Sequence, residues 1–134
     1  MMEAAISRKL LRLGLLCAVV WLGGSAAPAR AATQDNFAVH STQDLVDLCS
    51  TPEGDPMRTA ALHFCEGFTV GALQYYQATS GRTLHLVCLP QPAPTRDEGV
   101  TKFVAWAHAN PQYMNDKAVD GLFRFLSATW SCRQ

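Results

Sequence analysis

The chain has 134 residues, with Lys plus Arg matching Asp plus Glu at 11 each and 49% of positions hydrophobic. That length bounds it to one domain. The thin, balanced charge shows none of the basic patches that nucleic-acid binding requires.

The start of the chain reads as a leader. Arg8, Lys9 and Arg12 precede an apolar run over 13–22, and small residues then lead to Ala29-Arg30-Ala31. This order is that of a secretory signal peptide, with cleavage expected after Ala31 and the domain at 32–134. The apolar run is too short to remain as a membrane span, so no membrane association is expected after cleavage. Cys17 follows Leu16 rather than a small residue, which argues against a lipid-anchored form. Cleavage leaves 103 residues with seven Lys and Arg against ten Asp and Glu, a formal charge of −3. Cys49, Cys65, Cys88 and Cys132 remain. An even count in a small exported domain points to two disulfides, with three pairings possible.

Residues 32–40 read as a short, loosely held lead-in. Ser41 with Asp44 three positions on is a capping pattern that opens a short helix with Leu45, Val46, Leu48 and Cys49 inward. Thr51 to Pro56 is a turn-rich connection. Asp55-Pro56 then suits a helix start, and the helix runs to Gly81. Met57, Ala61, Phe64, Phe68, Gly71 or Ala72, and Tyr75 recur at three- and four-residue steps, which predicts one buried face and makes this the central helix. Gly67 and Gly71, one turn apart, would let a second helix approach. Residues 82–88 alternate too briefly to separate a strand from an extended loop. Pro90, Pro92 and Pro94 exclude a helix over the next segment. Thr95 with Glu98 repeats the capping pattern before a helix with Val100, Phe103, Val104 and Ala107 inward. Pro111 stops it near Asn110. After a short link Asn115 is placed to cap the last helix, whose inward residues are Val119, Leu122, Phe123, Leu126 and Trp130. The predicted fold is all-α, a small four-helix bundle cross-linked by two disulfides.

Helix order bears on the pairing. If the last two helices form an antiparallel hairpin, Cys132 returns beside Cys88, while Cys49 and Cys65 face each other across their connection. Cys49–Cys65 and Cys88–Cys132 are therefore favoured. In the chain-entropy model such cross-links contribute roughly 3 and 4 kcal/mol.

No catalytic constellation emerges. His63-x-Cys65 and His85-x-x-Cys88 bring metal-ligand types together, but oxidised cysteines cannot serve as thiolates, so no metal or cofactor is expected. His63 and Cys65 point in different directions on a helix, and Glu66 has no partner carboxylate, so no nucleophile–base pair is formed. Asp97, Glu98 and Asp116 read as helix-start acids favourable to the dipole. Phe64, Phe68, Phe103, Phe123 and Phe125 read mostly as core. Tyr76, Trp106, Tyr113 and Trp130 divide between core and surface, where exposed aromatics favour protein interfaces.

Leu45-x-x-Leu48-Cys49, Cys65-Glu66-Gly67-Phe68-x-x-Gly71-Ala72 and Cys88-Leu89-Pro90 together resemble the Rap/Tai family of immunity proteins. Phe103-Val104, Pro111, Ala118, Leu126 and Trp130-Ser131-Cys132 continue the resemblance, which spans about residues 37–132. Gln74 and Ser131 depart from the pattern and bear on the subgroup. The resemblance implies a periplasmic, often homodimeric helical protein that binds peptidoglycan-degrading amidase toxins of type VI secretion and obstructs their cleft. Its motif residues are structural and imply no catalytic residue. Within such a protein the polar-aromatic link of Asn110, Gln112, Tyr113, Met114, Asn115 and Asp116 is the expected inserting edge. The alternative is a small periplasmic disulfide-bonded helical chaperone. Such a protein would dissociate in acid, and His40, His63, His85 and His108 would influence it only around their own titration range.

Overall fold

Ser41 opens the first helix in the way its spacing requires. The Asp44 backbone N–H donates to the Ser41 hydroxyl at 3.2 Å, and the Asp44 carboxylate accepts from the Ser41 N–H at 3.0 Å. Two orphan donors are satisfied reciprocally, which sets the start of α1 (Thr42–Cys49). A computed structural model describes residues 30–81 and 85–132. The expected leader therefore lies, up to residue 29, outside the described residues. The remaining helices are α2 (Arg58–Thr79), α3 (Arg96–Ala109) and α4 (Ala118–Thr129), with 3-10 turns at Gln34–Ala38 and Pro111–Tyr113. Among the described residues the only strand-like pairing is an antiparallel bridge between Val87 and Ser131. No helix there is long and apolar enough to cross a membrane.

The hub is α1 and not the long α2 predicted to be central. Thr42, Leu45, Val46, Asp47, Leu48 and Cys49 are all buried, and α1 packs on α2, α3, α4 and the lead-in. Burying each of Leu45, Val46 and Leu48 is worth about 1.5–3 kcal/mol. Eight residues thus carry a large share of the core. By contrast α2 buries only Ala61 and Cys65 among its 22 residues.

Its buried face is also rotated from the predicted stripe. Ala61, Cys65, Phe68, Ala72 and Tyr76 face inward, at four- and three-residue steps. Phe64 is 37% exposed and Tyr75 73% exposed. Both periodicities exist in the sequence, and Cys65 decides between them. Its disulfide to Cys49 pulls that side of α2 onto α1. Gly67 and Gly71 consequently look outward, with open space where a Cβ would sit. The close approach between helices occurs instead at Gly121 of α4. A Cβ there would lie 2.6 Å from the Thr42 Cγ2.

Boundaries shift for local reasons. The Asp55 carboxylate accepts from the Met57 N–H at 2.7 Å, which forms a turn, so α2 begins only at Arg58. Gly81 follows the end of α2 with φ +60°, the left-handed conformation that stops helices. The second capping box, Thr95 with Glu98, opens α3 as predicted. Asn115 does not cap α4. That helix begins at Ala118 behind Lys117, and the link before it is held by other bonds. On α4 the inward set is Ala118, Gly121, Leu122, Phe125 and Leu126. Phe125 is buried, in keeping with its reading as core, whereas Val119, predicted to face inward, is 41% exposed.

The lead-in is fixed rather than loose. Its 3-10 turn sets the buried Asn36 so that Nδ2 donates to the Asp44 carboxylate at 3.0 Å, and Phe37 packs edge-on to Phe64 at 5.4 Å. Both favoured disulfides are present, Cys49–Cys65 and Cys88–Cys132, with Cα atoms 5.2 and 4.9 Å apart.

Candidate partner-binding edge

The link between α3 and α4 is built from the chain's own hydrogen bonds. Asn110 ends α3 and turns its Nδ2 back to the Trp106 carbonyl at 2.8 Å. Pro111 then supplies the fixed φ of the 3-10 turn, closed by Tyr113 N–H to the Asn110 carbonyl at 3.1 Å and Met114 N–H to the Pro111 carbonyl at 3.2 Å. Asp116 N–H closes a last turn on the Tyr113 carbonyl at 3.1 Å.

The carbonyls facing the other way cap α1. Thr42 N–H donates to the Asp116 carbonyl at 2.8 Å and Gln43 N–H to the Met114 carbonyl at 3.0 Å. The Thr42 hydroxyl adds bonds to the Asp116 and Lys117 carbonyls at 3.2 and 3.3 Å. The first amides of a helix have no partner within it, so the link and α1 satisfy each other.

Side chains lock the link from beneath. Tyr113 stacks on Trp106 with ring centroids 5.7 Å apart, and the Arg124 guanidinium lies 4.6 Å from the Tyr113 centroid. Arg124 also pairs with Asp116, Nε to Oδ2, at 3.2 Å. One arginine two turns into α4 therefore holds the middle and the far end of the link. Sequence reading did not single out Arg124. Its spacing from Asp116 was visible, but nothing in the chain marks it as lying over Tyr113.

The six residues expected to form an inserting edge separate into two groups. Gln112 and Asn115 are exposed, together with Pro111. Asn110, Tyr113, Met114 and Asp116 are half-buried, and Met114 packs against the core. The edge a partner can touch is thus polar, on an aromatic underside that belongs to the protein's own packing.

The other candidate chemistry is dispersed. Cys65 and Cys88 are consumed in disulfides, so neither His63-x-Cys65 nor His85-x-x-Cys88 is a ligand pair. Among the described residues no cluster of His, Cys, Asp and Glu is arranged to hold a metal ion. Glu66 lies 3.9 Å from Arg96 across α2 and α3. Two carboxylates depart from ordinary behaviour. Burial opposes the charge of Asp44, but bonds from the Asn36 and Ser41 side chains and from the Ser41 and His40 backbone outweigh it and hold its carboxyl below the usual range. Burial pushes the Asp47 carboxyl up, against a bond from Gln43 at 2.7 Å. Both belong to α1.

The family model for Rap1a immunity proteins matches residues 41–132, more than two thirds of the chain. The chain belongs to the Rap1a immunity protein family. The match begins at the cap of α1 and ends at the last disulfide cysteine, so it covers all four helices and both cross-links. Membership in this family implies a toxin protein as partner. No curated protein and no solved structure matches the chain.

Proposed function

We propose that this Rap1a family member is a periplasmic immunity protein that binds a peptidoglycan-degrading amidase delivered by type VI secretion and occludes its active-site cleft. The observation that carries the reading is the immunity-family match over residues 41–132. Protection by occupancy needs a rigid shape and no reactive group. The bundle meets the first requirement through two disulfides and a link held by α1, Trp106 and Arg124. A pre-ordered edge loses little conformational freedom on binding, which favours affinity.

In this reading Pro111, Gln112 and Asn115 meet the toxin, while Asn110, Tyr113, Met114 and Asp116 shape the edge from within. Processing after Ala31 releases the 32–134 domain into the periplasm, where disulfides persist. A homodimer is the working assembly.

The test pairs the purified protein with peptidoglycan amidases delivered by type VI secretion and follows peptidoglycan hydrolysis during titration. Stoichiometric inhibition is expected, with a Gln112→Ala/Asn115→Ala double variant binding more weakly at unchanged stability. Full amidase activity at saturating protein would end the reading. Unchanged affinity in the double variant would remove the edge while leaving immunity intact.

A further inference from the structure

The far end of the link runs into a second surface. Thr42 bonds the Asp116 and Lys117 carbonyls, so the residues just before α1 lie alongside the first residues of α4. Between them is a groove of about 340 Å³, open to solvent. Val39 and His40 line one side, Lys117, Ala118 and Val119 the other, and Phe68 of α2 adds a ring.

This groove differs from an ordinary solvated face. Val119 is 41% exposed and Phe68 only half-buried. Val39 has φ +49° and ψ +48°, a left-handed conformation that β-branched residues rarely adopt. Backbone held in such a conformation is concentrated at binding and switching sites. Lys117 is the one lysine or arginine on the lining, and it is exposed. Asp116 beside it is taken by Arg124 at 3.2 Å. Lys117 pairs neither with Asp120, one turn on, nor with any other acid among the described residues.

A protein that covers Val119 and Phe68 also takes Lys117 out of water. An ammonium desolvated without a counter-charge is costly, so a fitting partner brings a carboxylate beside the apolar side chain that fills the groove. A neutral or basic segment would leave Lys117 unpaired. The edge formed by Pro111, Gln112 and Asn115 is largely polar, whereas the buried centre of an interface is apolar. The groove supplies that apolar anchor directly after the link.

We propose that the groove is a second contact point for the toxin, contiguous with the link and selective for an apolar side chain flanked by a carboxylate. This rests on the immunity reading and names the chemistry of the partner's surface.

The test measures association and dissociation rates of the protein with the type VI amidase it inhibits, at low and high salt, for the native chain, Lys117→Gln and Val119→Ser. Lys117→Gln should slow association about tenfold at low salt and flatten its salt dependence. Val119→Ser should speed dissociation about tenfold. Both positions are exposed, so helicity and melting temperature should stay native, which a purely structural role would not predict. If Val119→Ser loses helicity, Val119→Thr keeps the branched shape and takes its place. Native rates in both variants, with the native chain still inhibiting, would overturn the groove and leave the immunity reading standing. A native chain that inhibits no such amidase would remove both. Sedimentation of the protein alone closes the test. Self-association altered in the variants, with toxin rates unchanged, would assign the groove to a second copy and overturn the proposal.

Discussion

The indole of Trp106 and the phenol ring of Tyr113 lie face to face, their planes 3° from parallel, on opposite sides of Pro111. The stack spans the end of α3, and the Arg124 guanidinium lies over the Tyr113 ring. A surface link would otherwise be the first part of a bundle to open. This one is held by a ring from the preceding helix and a cation from the following one.

Tyr113→Ala should lower stability by about 1–2 kcal/mol, from the lost ring pair and the cation above it. Tyr113→Phe, which keeps both ring faces, should stay close to the native value. Urea denaturation measures both. Equal midpoints for the alanine variant and the native chain would mean that the stack contributes nothing.

The glycines offer a contrast within one protein. Gly121→Ala drives a methyl into Thr42, a fully buried side chain held by two carbonyls, and should destabilise by about 1–3 kcal/mol. Gly67→Ala and Gly71→Ala meet open space inside a helix and should each stabilise by about 0.5–1 kcal/mol. Thermal denaturation of the three variants ranks them. A loss at Gly67 or Gly71 would show that another molecule packs on that face in solution.

Asp44 and Asp47 should respond to pH in opposite senses. Asp44 has a folded-state value below its unfolded one, so its contribution is present above the ordinary carboxylate range and lost as pH falls through the lowered value. Asp44→Ala should therefore be less stable than the native chain by about 1 kcal/mol at neutral pH, with the gap closing in acid.

For Asp47 the folded value is raised, so stabilisation is present below the unfolded value and lost as pH rises through the raised one. Asp47→Asn keeps an acceptor for Gln43 and removes the buried charge. It should be more stable than the native chain at neutral pH and converge with it in acid. Cleavage after Ala31 would also take away Arg30, one of the charges that moderates Asp47, and so sharpen the effect. Stability curves from pH 3 to pH 8 check both variants, and parallel curves would reject the assignment.

Replacing Cys49 and Cys65 together by Ala should destabilise by roughly 3 kcal/mol from the lost cross-link, before any cavity effect. The bridge closes a separation of 16 residues at the centre of the core. Denaturation of this variant under non-reducing conditions would expose an unchanged midpoint if the bridge were dispensable.

Local patterns were legible in the sequence because they depend on residues a few positions apart. Ser41 with Asp44 and Thr95 with Glu98 state their caps outright, Gly81 and Pro111 state where helices stop, and four cysteines beyond the expected leader state two cross-links. Helix order alone was enough to favour Cys49–Cys65 and Cys88–Cys132. The face of α2 was not legible. Phe64 and Tyr75 fit a helical stripe as well as Cys65 and Tyr76 do, and only the reach of Cys65 to Cys49 selects between them. The same holds for the link, whose six residues read as a polar-aromatic edge. Which of them face outward depends on Trp106, Arg124 and the amides of Thr42 and Gln43, contacts separated by up to 74 residues along the chain. Periodicity specifies the spacing of a helical face, whereas its direction is set by what packs there, and that is a property of the assembled bundle.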